Sequence, residues 1–450
     1  MYRFAEEKVQ NWLDYSKKAL MIYGARQVGK TYLIRKMLEK NAISYFEVNL
    51  FERKDILAML QVEEDASQIA EKLSLYSEME LKKGESVIFL DEIQLFPEII
   101  TKIKFLVDEG SYRYIFSGSN LGVELKGIKS IPIGYAEAWQ LFPMNLPEFA
   151  LANGVQKKTL DYLEQCYRSM NMVDPLIHRK MMQVFYYYLI VGGMPEAVNT
   201  FLHYRNLNQL DQEQKGLIAQ YKADFTKYEA ENRRLKIISI FDNIPSQLNK
   251  QNRRFTFTLL NKELKFDRYE ESFLWLKDAA VAIPVYIVTE PICPLISSKE
   301  TNVFKLFQSD VGLLTSCYPA AVKKQILEMN PDNEINNGAL FENFVAQELN
   351  TNGVTAYYYK TAKVGEVDFV VELDGTVIPI EVKSGMNYKK HTALNKLLQI
   401  ENYHIEKSIV LSPNNVEQID RISYLPVYMV SFIKPETVEG AVLNLDVTGL

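Results

Sequence analysis

Four short apolar runs, spaced by helical patterns, open the chain: "ALMIY" (19–23), "SYFEVNL" (44–50), "SVIFLDEI" (86–93) and "YRYIFSGS" (112–119). Each has the length and composition of a buried strand. Strand alternating with helix predicts an α/β unit, a parallel sheet with crossover helices. From about 151 to 245 the pattern turns mostly helical, with one interruption at Gly192-Gly193-Met194-Pro195 that predicts a sharp break between two helices. The aromatics of "FYYYLIVGGMPEAV" beside that break read as core packing rather than as a platform for stacking bases. Residues 246–325 mix helical and strand patterns, and "MNPDNEINNG" (329–338) is polar and turn-rich, the composition of a linker. After it a helix, "ALFENFVAQELN", precedes a run of strands.

Composition narrows the reading. A chain of 450 residues has room for about three domains. With 47% hydrophobic and 24% charged residues it is an ordinary globular sequence, and its net charge of −6 argues against wholesale nucleic-acid binding. Any such contact must come from a local patch. Cys166, Cys293 and Cys317 show neither paired metal spacing nor disulfide density, which suits a reducing cytosol. The first residues mix charges and lack the apolar core of a signal peptide. The longest apolar run, 279–288, is too short to span a bilayer, so the expectation is a cytoplasmic protein with no membrane role.

"GARQVGKT" fits G-x-x-x-x-G-K-[ST] and sits where that pattern has meaning, after a predicted strand and before a predicted helix. Backbone N–H groups of Gly24, Ala25, Arg26, Gln27, Val28 and Gly29 can curl around phosphate oxygens, and the helix N-terminus adds its positive dipole end. Lys30 would reach the β- and γ-phosphates of ATP, and Thr31 would place its hydroxyl on Mg²⁺. "VIFLDE" is a buried strand that would deliver Asp91 to the same metal, with Glu92 next to it to orient or deprotonate a water. A further strand ends in Ser119 and Asn120, which could sense the γ-phosphate from the neighbouring strand end. The pattern predicts ATP and Mg²⁺ as ligands. Arg26 reads as structural or exposed rather than catalytic.

Residues 246–268 carry Lys250, Arg253, Arg254, Lys262, Lys265 and Arg268 against Glu263 and Asp267. The helix pattern "DRYEESFLWLKDAAV" then precedes the strand "IPVYIV", as a recognition helix precedes its wing. Such a basic face could hold DNA phosphates without reading sequence, or be a solvated or docking surface. Glu270, Glu271 and Asp278 on the helix weaken any case for major-groove readout.

In "GEVDFVVELDGTVIPIEVKSG" the pair Asp374-Gly375 is a two-residue hairpin signal, because a type I′ turn needs positive φ at both positions. Leu373 then pairs with Thr376, and continuing that register sets Asp368 opposite Glu381, on one face. Lys383, two residues on, points to the same face. A bulge at Pro379 would break the register. Two facing carboxylates repel unless something positive lies between them. A divalent cation is one answer, and the lysine could then orient a water. A salt-bridged sheet face is the other.

The segments "ALMIYGARQVGKTYLIRK", "FLDEIQLFPE", "IFSGSN", "LIVGGMPEAVNTFL", "FKLFQSDVGLL", "GALFENFVAQEL" and "EVDFVVELDGTVIPIEVKSG", in this order, resemble the AAA-type P-loop ATPases of bacteria and archaea that carry a DUF4143 region. The likeness covers roughly residues 10 to 400. The resemblance implies an ATPase core (1–150), a helical lid (151–232), a winged-helix module (233–328) and a restriction-endonuclease-like α/β domain (329–450). Within the last, D-x₁₂-E-x-K preceded by a helix acid is similar to the PD-(D/E)XK nucleases, with Val367 where the proline stands. That likeness implies metal ligation by Asp368, Glu381 and Glu342 and a catalytic part for Lys383. The expected function is an ATP-binding and hydrolysing protein that couples nucleotide state to a DNA-directed, nuclease-like domain. The alternative is an ATP-operated switch or scaffold whose nuclease-like domain only binds DNA or a protein partner. DNA would engage the 246–268 segment and the C-terminal domain, and oligomers are compatible with either reading. An arginine finger is not identified among Arg113, Arg168 and Arg179.

Overall fold

A computed structural model of the chain describes residues 1–119, 134–225, 231–250, 254–255, 269–328 and 337–436. The apolar runs at the start form strands β1 (Ala19–Tyr23), β2 (Tyr45–Asn49), β3 (Val87–Asp91) and β4 (Arg113–Gly118), joined by β5 (Ala136–Gln140). They make one parallel sheet in the order β2-β3-β4-β1-β5. All five residues of β3 are buried, as a strand covered on both faces requires. Alternate side chains serve opposite layers. Leu20, Ile22, Phe89 and Ile115 join one core. Met21, Ile88, Leu90 and Phe116 join another, with Ile99 and Ile103 of the helix Ile99–Glu109.

The helices Pro175–Val191 and Pro195–Tyr204 are separated by the predicted break. Gly192 has φ 74°, and a methyl on it would overlap the Asp310 carboxylate; a methyl on Gly193 would overlap the Met144 carbonyl oxygen. Phe185 packs edge-on against Phe341 and Phe344, with ring centroids 5.0 and 4.8 Å away, and Tyr188 lies 5.3 Å from Phe149. The aromatic stripe is core, as read from the sequence.

The second sheet runs β12-β13-β11-β10-β9-β8-β6-β7. Its strands are β6 (Ala282–Val288), β7 (Lys299–Gln308), β8 (Ala356–Thr361), β9 (Gly365–Leu373), β10 (Thr376–Val382), β11 (Ser408–Ser412), β12 (Glu417–Ile419) and β13 (Ile422–Pro426). "IPVYIV" is therefore not a free wing. It is β6, paired antiparallel with β7 and parallel with β8. Five of the seven β6 residues are buried, a pattern that only an interior strand satisfies. The sheet thus crosses the 328/329 boundary expected from sequence. Of the basic segment only 246–250 and 254–255, and of the linker only 337–338, are among the described residues.

The hairpin register holds: Thr376↔Leu373 through Ile380↔Phe369 are paired, with no bulge at Pro379. Asp374 and Gly375 both have positive φ, 52° and 75°. Among the described residues no helix is long and apolar enough to cross a membrane.

Candidate functional site

The N-terminal site begins where β1 ends. Gly24 has φ 147° and lies so close to Leu141 that any side chain would overlap the Leu141 carbonyl. Gly29, φ 93°, turns the chain into the helix Lys30–Lys40. Lys30 is buried, and its Nζ donates to the carbonyls of Gly24 (3.0 Å) and Ala25 (2.9 Å). Burial pushes its ammonium down to about 8, against the opposing pull of Glu92 and Asp91. Arg3 braces the loop from outside, donating to Val28 O (3.0 Å), Phe142 O (2.7 Å) and Glu148 (3.1 Å).

Asp91, the last residue of β3, accepts from Thr31 Oγ1 at 2.8 Å and, through its other oxygen, from Ser117 Oγ and the Glu92 amide. Glu92 follows in the left-handed region, φ 59°, which turns its side chain off the strand line. Its carboxylate accepts from Gln94 Nε2, which also donates to Ser119 Oγ at 3.2 Å. Ser119 in turn accepts from Arg26 Nε at 3.3 Å. Thr31, Asp91, Glu92 and Ser119 are thus linked at the strand ends beside the loop, while Asn120 lies outside the described residues. Sequence reasoning missed Ser117 and Gln94. Ser117 had a signal, since it shares a strand face with Ser119; Gln94 had none.

The helix Leu207–Phe225 closes over the loop. Tyr221 donates to Arg26 O at 2.8 Å, Arg26 Nη1 pairs with Asp224 at 2.7 Å, and Gln27 donates to Gln220. A cavity of about 420 Å³ remains between loop and helix, lined by Arg3, Gln27, Gly29, Tyr32, Pro195 and Gln220. Arg26 thus joins Ser119 of the strand end to Asp224 of this helix. Arg113 donates to the carbonyls of Trp12, Leu13 and Ser16 at the opposite end of β4, away from this cavity.

In the second sheet, Asp368 Oδ2 accepts from the Val382 amide at 2.9 Å, and Lys383 Nζ donates to Glu381 at 2.6 Å. Glu342, on the helix Asn337–Thr351, completes the expected set. With Lys383, Asn387 and Lys390, the three acids line one cavity of about 430 Å³. Burial, then the neighbouring Asp368, pushes Glu381 up to about 7 against the pull of Lys383 and Lys305.

Lys305 of β7, which the sequence reading did not single out, is fully buried in this cluster. Its Nζ stands 2.8 Å from Glu366, 3.5 Å from Glu342 and 4.0 Å from Asp368. Among the described residues no three His, Cys, Asp or Glu side chains are grouped to hold a metal ion. The acids expected as ligands share a cavity without forming such a group.

Three family models match the chain: an AAA domain over residues 16–150, a domain of unknown function (DUF8612) over 182–325, and a domain of unknown function (DUF4143) over 337–430. No curated protein matches it. Among solved structures it is similar to a Walker-type ATPase of Pyrococcus abyssi, at 16% identity and a TM-score of 0.41 over 69% of this chain and 93% of that one. Cdc6p from Pyrobaculum aerophilum is 12% identical, with a TM-score of 0.27 over 73% of this chain and 95% of that one. Thermotoga maritima RuvB is 13% identical, with a TM-score of 0.28 over 62% and 87%. It is the family matches, together with the parallel sheet and its glycine-rich loop, that place the chain: it carries an AAA domain over residues 16–150 and a DUF4143 region over 337–430.

Proposed function

We propose that the chain binds and hydrolyses ATP at the Gly24–Thr31 loop and uses the nucleotide state to control a DNA-directed C-terminal region. The observation that carries this reading is the linked set Thr31–Asp91 and Glu92–Gln94–Ser119, gathered beside a loop whose lysine is buried. The residues fit a magnesium-bound nucleotide. Thr31 Oγ1 and Asp91 already share one hydrogen bond, the donor set that suits a hard cation. Mg²⁺, when bound there, would neutralise charge on the phosphate oxygens.

Lys30 would exchange the two carbonyls it now meets for phosphate oxygens, at little desolvation cost because it is already buried. Glu92 would hold the attacking water and take its proton. Gln94 and Ser119 keep that carboxylate in place, and Ser119 would sense the terminal phosphate from its strand end.

The link to the C-terminal sheet is polar and buried. Asp310, just after β7, accepts from Gly193 N at 2.5 Å and Leu313 N at 3.0 Å. Gln347 accepts from Val311 N and donates to Tyr188, which donates to Met144 O at 2.5 Å. The AAA domain, the helical break and the second sheet thus meet at one joint. A shift of the helix Leu207–Phe225 on nucleotide binding would be felt there, because Gln214 of that helix donates to the Ile190 carbonyl beside the break. For DNA the supporting features are the basic 246–268 segment and the Lys383–Lys390 lip of the C-terminal cavity.

The test is ATP turnover by the wild type, Lys30→Ala and Glu92→Gln. The wild type is expected to release phosphate, Lys30→Ala to lose nucleotide binding, and Glu92→Gln to bind ATP while turnover falls about 10²–10⁴-fold. Equal background rates for all three would overturn the reading.

A further inference from the structure

We infer that Lys305 is the resident cation of the C-terminal acid cluster: it stands within 4.0 Å of Glu342, Glu366 and Asp368, and the cluster, already supplied with charge, takes up no divalent metal ion. The inference rests on the nuclease-like reading of that cluster and concerns what the cluster has become.

Glu342, Asp368 and Glu381 line one cavity beside β9, β10 and the helix Asn337–Thr351, and Glu366 is joined to Glu342 and Asp368 through Lys305. Buried carboxylates at such spacing need positive charge among them. The protein supplies its own. Lys305 Nζ lies within 4.0 Å of Glu366, Glu342 and Asp368, and 3.5 Å from the Asp368 carbonyl oxygen. Lys360 meets the second oxygen of Glu366 at 2.8 Å, and Lys383 meets Glu381 at 2.6 Å.

Lys305 is not a surface lysine that could swing aside. Its side chain is 0% exposed, and its Nζ lies 5.1 Å from the Tyr358 ring centre and 5.9 Å from that of Phe369. Its strand is tied into the sheet by β6 on one side, and the Arg254 backbone bridges Lys305 itself on the other. A magnesium-like ion needs oxygen ligands at about 2.0–2.1 Å in octahedral array. An ammonium within 4.0 Å of Glu342 and Asp368, two of the three expected ligands, already supplies positive charge there, and a second cation would be repelled by it. Without a metal the cluster lacks the means of metal-assisted cutting.

The experiment is a Mn²⁺ titration of the full-length, nucleotide-free protein at neutral pH, following the free-ion electron paramagnetic resonance signal. Wild type and Glu381→Gln should bind Mn²⁺ identically. Any ion held at Thr31 and Asp91 appears equally in both, so failure of the ATPase reading does not disturb the comparison. Lys305→Met should take up one further equivalent, lost again in Lys305→Met/Glu381→Gln. An equivalent bound by the wild type and missing from Glu381→Gln would overturn the inference, as would a folded Lys305→Met that gains none. Should Lys305→Met fail to fold by circular dichroism, the wild-type and Glu381→Gln pair decides alone.

Discussion

Gln94 shows what a single side chain contributes to the nucleotide site. Its amide donates both to Glu92 and to Ser119, so it orients the proposed base. Gln94→Ala is therefore expected to lower kcat about 10–100-fold with little change in KM for ATP, since misplacing a reacting group costs the transition state most. Steady-state phosphate release checks this; a raised KM at unchanged kcat would make Gln94 a binding residue instead. The residues legible in sequence were those in local patterns. Gly24–Thr31 and Asp91-Glu92 announce themselves because phosphate and metal chemistry is confined to a loop and a strand end. Arg3, Gln94 and Lys305 do not, because their partners are set by the fold. Lys305 finds Glu366 and Asp368 more than sixty residues away, and in "FKLFQ" it looks like any strand lysine.

The helical break between Val191 and Pro195 is the element on which the proposed coupling turns. Gly193→Ala would drive a methyl into the Met144 carbonyl, and Met144 N already donates to Gly193 O at 2.7 Å. A loss of about 3 kcal/mol or more is expected, in the range of strained special positions. Gly216→Ala, in the helix Leu207–Phe225 with open space at its Cβ, should instead stabilise by about 0.5–1 kcal/mol. Thermal denaturation of the two variants separates a backbone requirement from ordinary helix propensity.

Helix contacts also set a pH dependence. Glu348, on Asn337–Thr351, accepts from Leu146 N at 2.9 Å and Ser431 Oγ at 2.6 Å, and burial pushes it up to about 7. Its folded value exceeds the ordinary 4.5, so between those two pH values the native state binds more protons than the unfolded one. Its contribution is fully present below the ordinary value and is lost as pH rises through about 7. Glu348→Gln should flatten that part of the decline in denaturant midpoint between acidic and neutral pH. An unchanged slope would show that Glu348 is ionised throughout. At this scale the sequence was informative for strands and the hairpin, whose turn residues set the register, and misleading for "IPVYIV". Its apolar residues mark burial on both faces without naming the neighbours, and these turned out to be β7 and β8.

Across the whole molecule, one hydrophobic core runs from β1 and β3 through Phe185, Tyr188 and Phe201 to Phe341, Phe369 and Val427. Such continuity makes rigid transmission between the AAA domain and the second sheet physically reasonable, because packed interiors shift between discrete arrangements rather than deform smoothly. The order of the parts was legible from the alternation of strand and helix. Their fusion was not, because β6 and β7 precede the polar 329–338 segment yet pair into the sheet that follows it.

In the proposed coupling, nucleotide state reaches the C-terminal sheet through the Asp310–Gly193 joint. The most direct measurement is amide hydrogen exchange on full-length Glu92→Gln, which should hold ATP without turning it over, compared in Mg²⁺–ATP and Mg²⁺–ADP. Several-fold slower exchange with ATP is expected at residues 192–193 and 311–313 as well as in the Gly24–Thr31 loop. Protection confined to the loop and its immediate neighbours, with the joint exchanging equally in both nucleotides, would contradict it.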